Sequence, residues 1–315
     1  MTVTLPLVRR LALASLLANI GIVLTGGAVR LTGSGLGCPT WPRCTDESWT
    51  ATPEMGVHGV VEFGNRTLTF VLGVIAVAGL VAAWRLRPRP GELVAPAAGV
   101  LVGIGAQGLI GGITVWTDLN PWIVAAHFLV SVGIITVAYV FWQRAGAVAV
   151  ADPVIAPTGA AGHPGDGLRR LAWVVLAVIL ALLVAGTVVT GSGPHAGDPD
   201  VPRNGFDPET VTRVHSFLSY LVLGLAAVTW LVARRTGAAT VGRAAAGLTA
   251  VVLGQAALGI AQYLTGLPES LVWLHLLGAC LVWLAGLHLW YATGARRVGS
   301  AHHPLPAARR GTVPV

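Results

Sequence analysis

Lysine is absent from this 315-residue chain, and all twenty basic residues are arginine. Charge of either sign is scarce, 10% against about a quarter in an ordinary soluble domain. That shortage excludes a water-soluble globular protein, whose surface needs far more charge. The hydrophobic fraction is 54% and the mean hydropathy +0.74, the composition of a chain that crosses a lipid bilayer several times. A net charge of +7 invites a nucleic-acid reading, yet most arginines sit in short clusters between apolar runs. Such clusters mark the cytoplasmic ends of membrane spans, so no nucleic-acid partner is expected. No Ala-x-Ala-like site follows Arg9-Arg10 and the first apolar run, so no cleavable signal peptide is expected either.

Eight apolar runs read as spans, at roughly 11–29, 58–84, 93–114, 122–143, 171–190, 211–233, 244–263 and 271–293. Each is about long enough to cross ~30 Å of hydrocarbon. Alternate loops then collect fifteen of the twenty arginines on one side and nine of the thirteen acids on the other. The arginine-rich side is the cytoplasmic one, which predicts a multi-pass protein of the cell membrane with both termini inside.

The stretch Gln107–His127 occurs twice. Shifted by 148 residues it falls on Gln255–His275, and six of its twenty-one positions are identical, the terminal glutamine and histidine among them. Thr32-Gly33-Ser34-Gly35 likewise recurs as Thr190-Gly191-Ser192-Gly193. The predicted fold is all-α, eight transmembrane helices forming two pseudo-symmetric four-helix bundles. The halves are 1–144 and 169–295. Between them, 145–168 reads as a cytoplasmic linker rich in Ala, Gly and Pro, and 296–315 as a basic tail; His163, His302 and His303 are expected to be solvated there.

His127, His215 and His275 lie four or five residues inside spans that all start from the outer side, some ~6–8 Å deep. His215 and His275 open the second and fourth helices of one bundle and can face each other. Facing neutral imidazoles suit axial ligation of haem iron; hydrogen bonds to helix carbonyls are the plainer alternative. Zinc is disfavoured, because no further thiol or carboxylate shares that layer. In the first half the equivalent of His215 is Asn65, with Glu62 on the same helical face. A carboxylate inside a span is a functional candidate; an ion pair from Glu62 to Arg66, four residues on, is the alternative. His58 could reach the site from the rim or lie at the interface. Cys38 and Cys44 share an outer loop where a disulfide can form, as a staple or as a redox pair. Cys280 reads as packing, His195 as solvated, and His288 receives no role.

Arg30-Leu31-Thr32-Gly33-Ser34-Gly35-Leu36-Gly37-Cys38-Pro39, followed by Trp41-Pro42-x-Cys44, resembles the first outer loop of the haem A synthases. Glu62-Phe63-Gly64-Asn65-Arg66 is similar to their Glu-x-x-His-Arg motif, with asparagine where that motif has histidine. The resemblance spans roughly 11–293. It implies oxidation of a pyrrole methyl of haem O to a formyl group through two hydroxylations and loss of water, giving haem A. It also implies a haem b held by His215 and His275, and a substrate haem facing His127, Asn65 and Arg66, with Glu62 as the catalytic carboxylate. Asn65 leaves that substrate five-coordinate through His127, unless His58 serves. A membrane electron acceptor and a haem O-producing partner are implied as well. Two readings of other classes remain: a di-haem electron-transfer cytochrome, which leaves Glu62 and the cysteine loop without a task, and a transporter, which needs more deep polar residues than this chain has.

Overall fold

Proline is the first or second residue of three of the eight long helices: α1 (Leu5–Leu31), α4 (Pro121–Val150) and α6 (Pro208–Arg235). Its missing N–H costs nothing there, because the first amides of a helix have no partner within it. Asp207 caps α6, its carboxylate accepting from the Thr210 amide at 2.8 Å. The other helices are α2 (Gly56–Arg85), preceded by a 3-10 turn at Pro53–Met55, α3 (Gly91–Trp116), α5 (Asp166–Ser192), α7 (Ala239–Leu264) and α8 (Glu269–Ala292). The structure is a computed structural model that describes residues 3–87, 90–150, 165–198 and 200–294. Among these, all eight long helices are long and apolar enough to span a membrane. Val74 and Val102 are 70% and 72% exposed, a surface suited to lipid.

The helices outrun the predicted spans at most ends, since hydropathy marks the membrane core and not the capped turns beyond it. α4 continues to Val150 and α5 begins at Asp166, so both ends of the 145–168 stretch are helical. Ala145–Val150 contains no proline and only one glycine, Gly146, and Pro153 is the first residue to forbid continuation. His163, His302 and His303 lie outside the described residues.

The duplication is visible in the backbone. α3 and α4 are joined by a turn with Asp118 and Leu119 at φ 49° and 54°; α7 and α8 are joined by Gly266 and Leu267 at φ 76° and 61°. In both, the second residue's amide returns 2.8 Å to a carbonyl of the preceding helix, Leu119 to Thr114 and Leu267 to Gln262. All four of these positions keep the 148-residue offset. Gly266 takes the left-handed conformation freely, whereas Asp118 does so against its Cβ.

Helices α1–α4 form one bundle and α5–α8 the other, with α1 against α8 and α4 against α5 and α8 at the seam. Indole N–H groups cross that seam: Trp273 to the Leu24 carbonyl and Trp283 to the Thr136 hydroxyl, each at 2.8 Å. Gly27 of α1 lies under Leu276 of α8, where a side chain would collide. A hydrophobic core of leucine, valine, isoleucine and alanine runs continuously through both bundles near the seam. The two halves are one body.

Candidate functional site

The loop between α1 and α2 is the first element that positions the site. Cys38 and Cys44 are disulfide-bonded, and Trp41 packs on Gly112 of α3, where an added Cβ would collide with the indole ring. Trp116 packs edge-on against Trp41 at 5.2 Å and donates to its carbonyl at 3.2 Å. Arg66 of α2 donates to the carbonyls of Cys38, Thr40 and Arg43 at 3.0, 2.9 and 3.2 Å. The loop is thereby clamped over one end of the first bundle.

Glu62 sits beneath it, 5% exposed. Its Oε2 accepts from the Cys38 amide at 2.6 Å; its Oε1 accepts from Arg66 at 2.5 and 3.1 Å. The Glu62–Arg66 ion pair raised as the plainer alternative is therefore present. It does not use up the carboxylate. A carboxylate offers about four acceptor sites, so one remains on Oε2, and Glu62 also lines the cavity described next.

That cavity has a volume of about 2400 Å³ and runs through both halves. Small-molecule sites enclose ~300–1,000 Å³ each, so this one can hold two large ligands. Its wall includes Glu62, Asn65 and His127 from the first bundle and His215 and His275 from the second. Phe70 and Val74, which also face outward, close part of it on the α2 side.

His127, His215 and His275 stand six, seven and six residues after the first residues of their helices. At ~1.5 Å per residue they share a layer ~9–10 Å deep. The rings of His215 and His275 face each other with centres 6.3 Å apart and planes at 57°. Two imidazoles bound to one metal atom at ~2.0–2.1 Å from opposite sides would have centres roughly 6.5 Å apart. His215 Nδ1 lies 3.2 Å from the Leu182 carbonyl, a contact that fixes the tautomer and frees Nε2. The Nδ1 atoms of His127 and His275 are enclosed without a protein partner. These residues fit a haem: an apolar space of adequate size, a ligand pair at the right separation, and unpartnered imidazole nitrogens at its edge.

A glycine stands opposite each of His215, His275, His127 and Asn65, and only at Gly186 is the space tight. A Cβ at Gly186 would come 3.1 Å from His215, at Gly259 3.6 Å from His275, at Gly111 3.5 Å from His127, and at Gly26 3.9 Å from Asn65. Gln107 and Gln255 donate to the carbonyls of His127 and His275 at 2.8 and 2.9 Å, which explains why glutamine and histidine recur together. Changing Gly186 to Ala is therefore expected to push His215 off its position and weaken haem retention by the second bundle ~10-fold. Gly26→Ala should leave that haem unaffected; titrating haem into the stripped proteins compares the two.

His58 is brought no closer to this layer. It is exposed, with Nδ1 2.9 Å from the Ser34 hydroxyl, and is not part of the cavity wall. His195 is not simply solvated: its Nε2 lies 2.9 Å from the Leu267 carbonyl. Cys280 is buried in packing, and His288 lies 3.3 Å from the Tyr139 hydroxyl. Arg30, which in sequence is only the first residue of a motif, is a cavity residue. Its guanidinium donates to the His195 carbonyl at 2.5 Å and to the Thr190 carbonyl at 2.9 Å, bridging the halves while lining the cavity. Among the described residues no carboxylate pairs with it. The available signal was an arginine ending a span on the arginine-poor side.

Fold and cavity together define a duplicated eight-helix membrane protein with an imidazole-lined chamber at one level. The sequence matches the cytochrome oxidase assembly protein family COX15-CtaA over residues 9–287, and the chain belongs to that family. A relative in Methylobacterium radiotolerans named Heme A synthase is 28% identical, covering 93% of this chain and 92% of its own length. Relatives of the same name in Brucella anthropi and Azorhizobium caulinodans are 27% and 28% identical. They cover 91% and 84% of this chain, and 92% and 88% of their own lengths.

Proposed function

We propose that this protein is a haem A synthase, an oxidoreductase that converts one pyrrole methyl of haem O to a formyl group by two successive hydroxylations. The observation that carries the reading is the asymmetry of two equivalent sites in one cavity. One has a matched imidazole pair; the other has a single imidazole, His127, beside a buried carboxylate, Glu62. His215 and His275 would hold haem b, which supplies one-electron storage and transfer when bound. His127, Asn65 and Arg66 would surround the substrate haem.

Glu62 then acts at the methyl edge. Its charge is held by the Cys38 amide and Arg66, and its remaining acceptor site can orient a water or take a proton. Arg66, tied to three loop carbonyls, fixes where that carboxylate stands. The clamped cysteine loop excludes bulk water from this end, so the disulfide serves as a staple. Arg30, with no carboxylate of its own among the described residues, suits a propionate of either tetrapyrrole. With the arginine-rich loops read as cytoplasmic, both termini would lie in the cytoplasm. The electrons leave to a membrane acceptor, and haem O arrives from the enzyme that makes it.

Pigment extraction from protein made in cells that also produce haem O tests this. Haem b together with haem O and haem A is the expected content. Haem b alone in both halves would replace this reading with the di-haem electron-transfer cytochrome.

A further inference from the structure

We infer that the first bundle binds its haem iron through His127 alone and keeps the opposite axial position open beneath the side-chain amide of Asn65. The inference rests on the function proposed above and adds to it the coordination state and small-ligand reactivity of the substrate half.

The repeat supplies the geometry. Asn65 lies over Gly26 of α1 as His215 lies over Gly186 of α5, and His127 lies over Gly111 as His275 lies over Gly259. Asn65 thus occupies the place of an axial ligand, yet its side chain is turned so that neither end replaces an imidazole. The Thr25 hydroxyl donates to Oδ1 at 2.7 Å, closer than its alternative partner in its own helix, the Ile22 carbonyl at 3.2 Å. Nδ2 is an amide nitrogen, a donor with no lone pair to give. Nδ2 passes 3.9 Å from the Cβ position of Gly26 and donates to no group among the described residues, so with Oδ1 taken by Thr25 its N–H groups are the ones left for the cavity.

Among the described residues no other side chain fills the gap. His58 is seven residues earlier on α2, about 10 Å along the axis, and its Nδ1 lies against Ser34. Glu62 has both oxygens held toward the loop by the Cys38 amide and Arg66, about 4.5 Å along the helix axis from Asn65. The matched pair in the second bundle closes both faces of its iron, whereas the first bundle leaves one face open with a hydrogen-bond donor above it. A diatomic or anionic ligand bearing an acceptor atom would enter there and nowhere else.

Carbon monoxide is the probe, added to dithionite-reduced full-length protein carrying both pigments. The expected result is one carbon monoxide bound per two haems, with one high-spin and one low-spin centre before addition. Asn65→His should complete a second imidazole pair, convert the high-spin signal to low-spin and lower carbon monoxide affinity at least tenfold. Asn65→Ala and Thr25→Val should both raise the infrared stretch of the bound ligand by removing or misdirecting the donor. Two low-spin haems inert to carbon monoxide would overturn this inference while leaving the proposed function standing. So would a stretch that falls in Asn65→Ala, since the carbonyl and not the N–H would then face the iron. A protein containing a single haem would overturn both.

Discussion

Glu62→Gln is expected to lower haem A formation by about 10²-fold or more while both haems remain bound. The size of the effect is that of losing a general base or a fixed charge at a reacting group. Glutamine keeps the shape, and its oxygen can still accept from the Cys38 amide, so the loop above has a partner. What disappears is the charge that pairs with Arg66 and the acceptor strength of the free site on Oε2. Glu62→Ala should be as inactive but also loosen the loop, because the Cys38 amide and Arg66 would lose a buried acceptor at a cost of ~1–3 kcal/mol. Comparing haem A yield with the visible spectrum in both variants separates chemistry from architecture. Undiminished haem A from Glu62→Gln would end the assignment of any chemical role to this carboxylate.

The second large effect is at the imidazole pair. His275→Ala should cost the protein its low-spin haem outright, so that extracted pigment falls from two haems per chain to one and haem b is the one missing. The pair faces across 6.3 Å, and His215 alone cannot close both sides of an iron atom. His127→Ala should instead spare haem b and lose the substrate haem. The measurement is pigment identity and stoichiometry, read together with the spin state. Equal loss of both pigments from either variant would mean that the bundles are not separate sites, and would sink the division of labour between them.

Much of this molecule was legible before any coordinates. The eight helices follow from hydropathy, because lipid imposes one rule on every span. The duplication was readable from Gln107 and His127 recurring as Gln255 and His275, two polar residues that apolar sequence does not place by chance. Their reason was not readable: the glutamine amide bonds the histidine's backbone carbonyl, a contact made across a helix pair and invisible in spacing. The sequence also separated Glu62 from Arg66 by one helical turn without deciding between an ion pair and a site, and the structure contains the pair inside the cavity wall. Thr25 and Arg30 escaped notice because each acts on a residue far along the chain, 40 and 165 positions away. Only packing brings such pairs together. After Arg144, alanine, glycine and valine have the composition of a linker, yet they continue α4 to Val150.

Phe70 and Val74 border the cavity and are also 77% and 70% exposed on the outside of the bundle. A guest arriving past them would come from among the acyl chains. Its supply would follow how strongly it partitions into the membrane, so a long hydrocarbon tail on a porphyrin would concentrate it at the doorway before any protein contact is made.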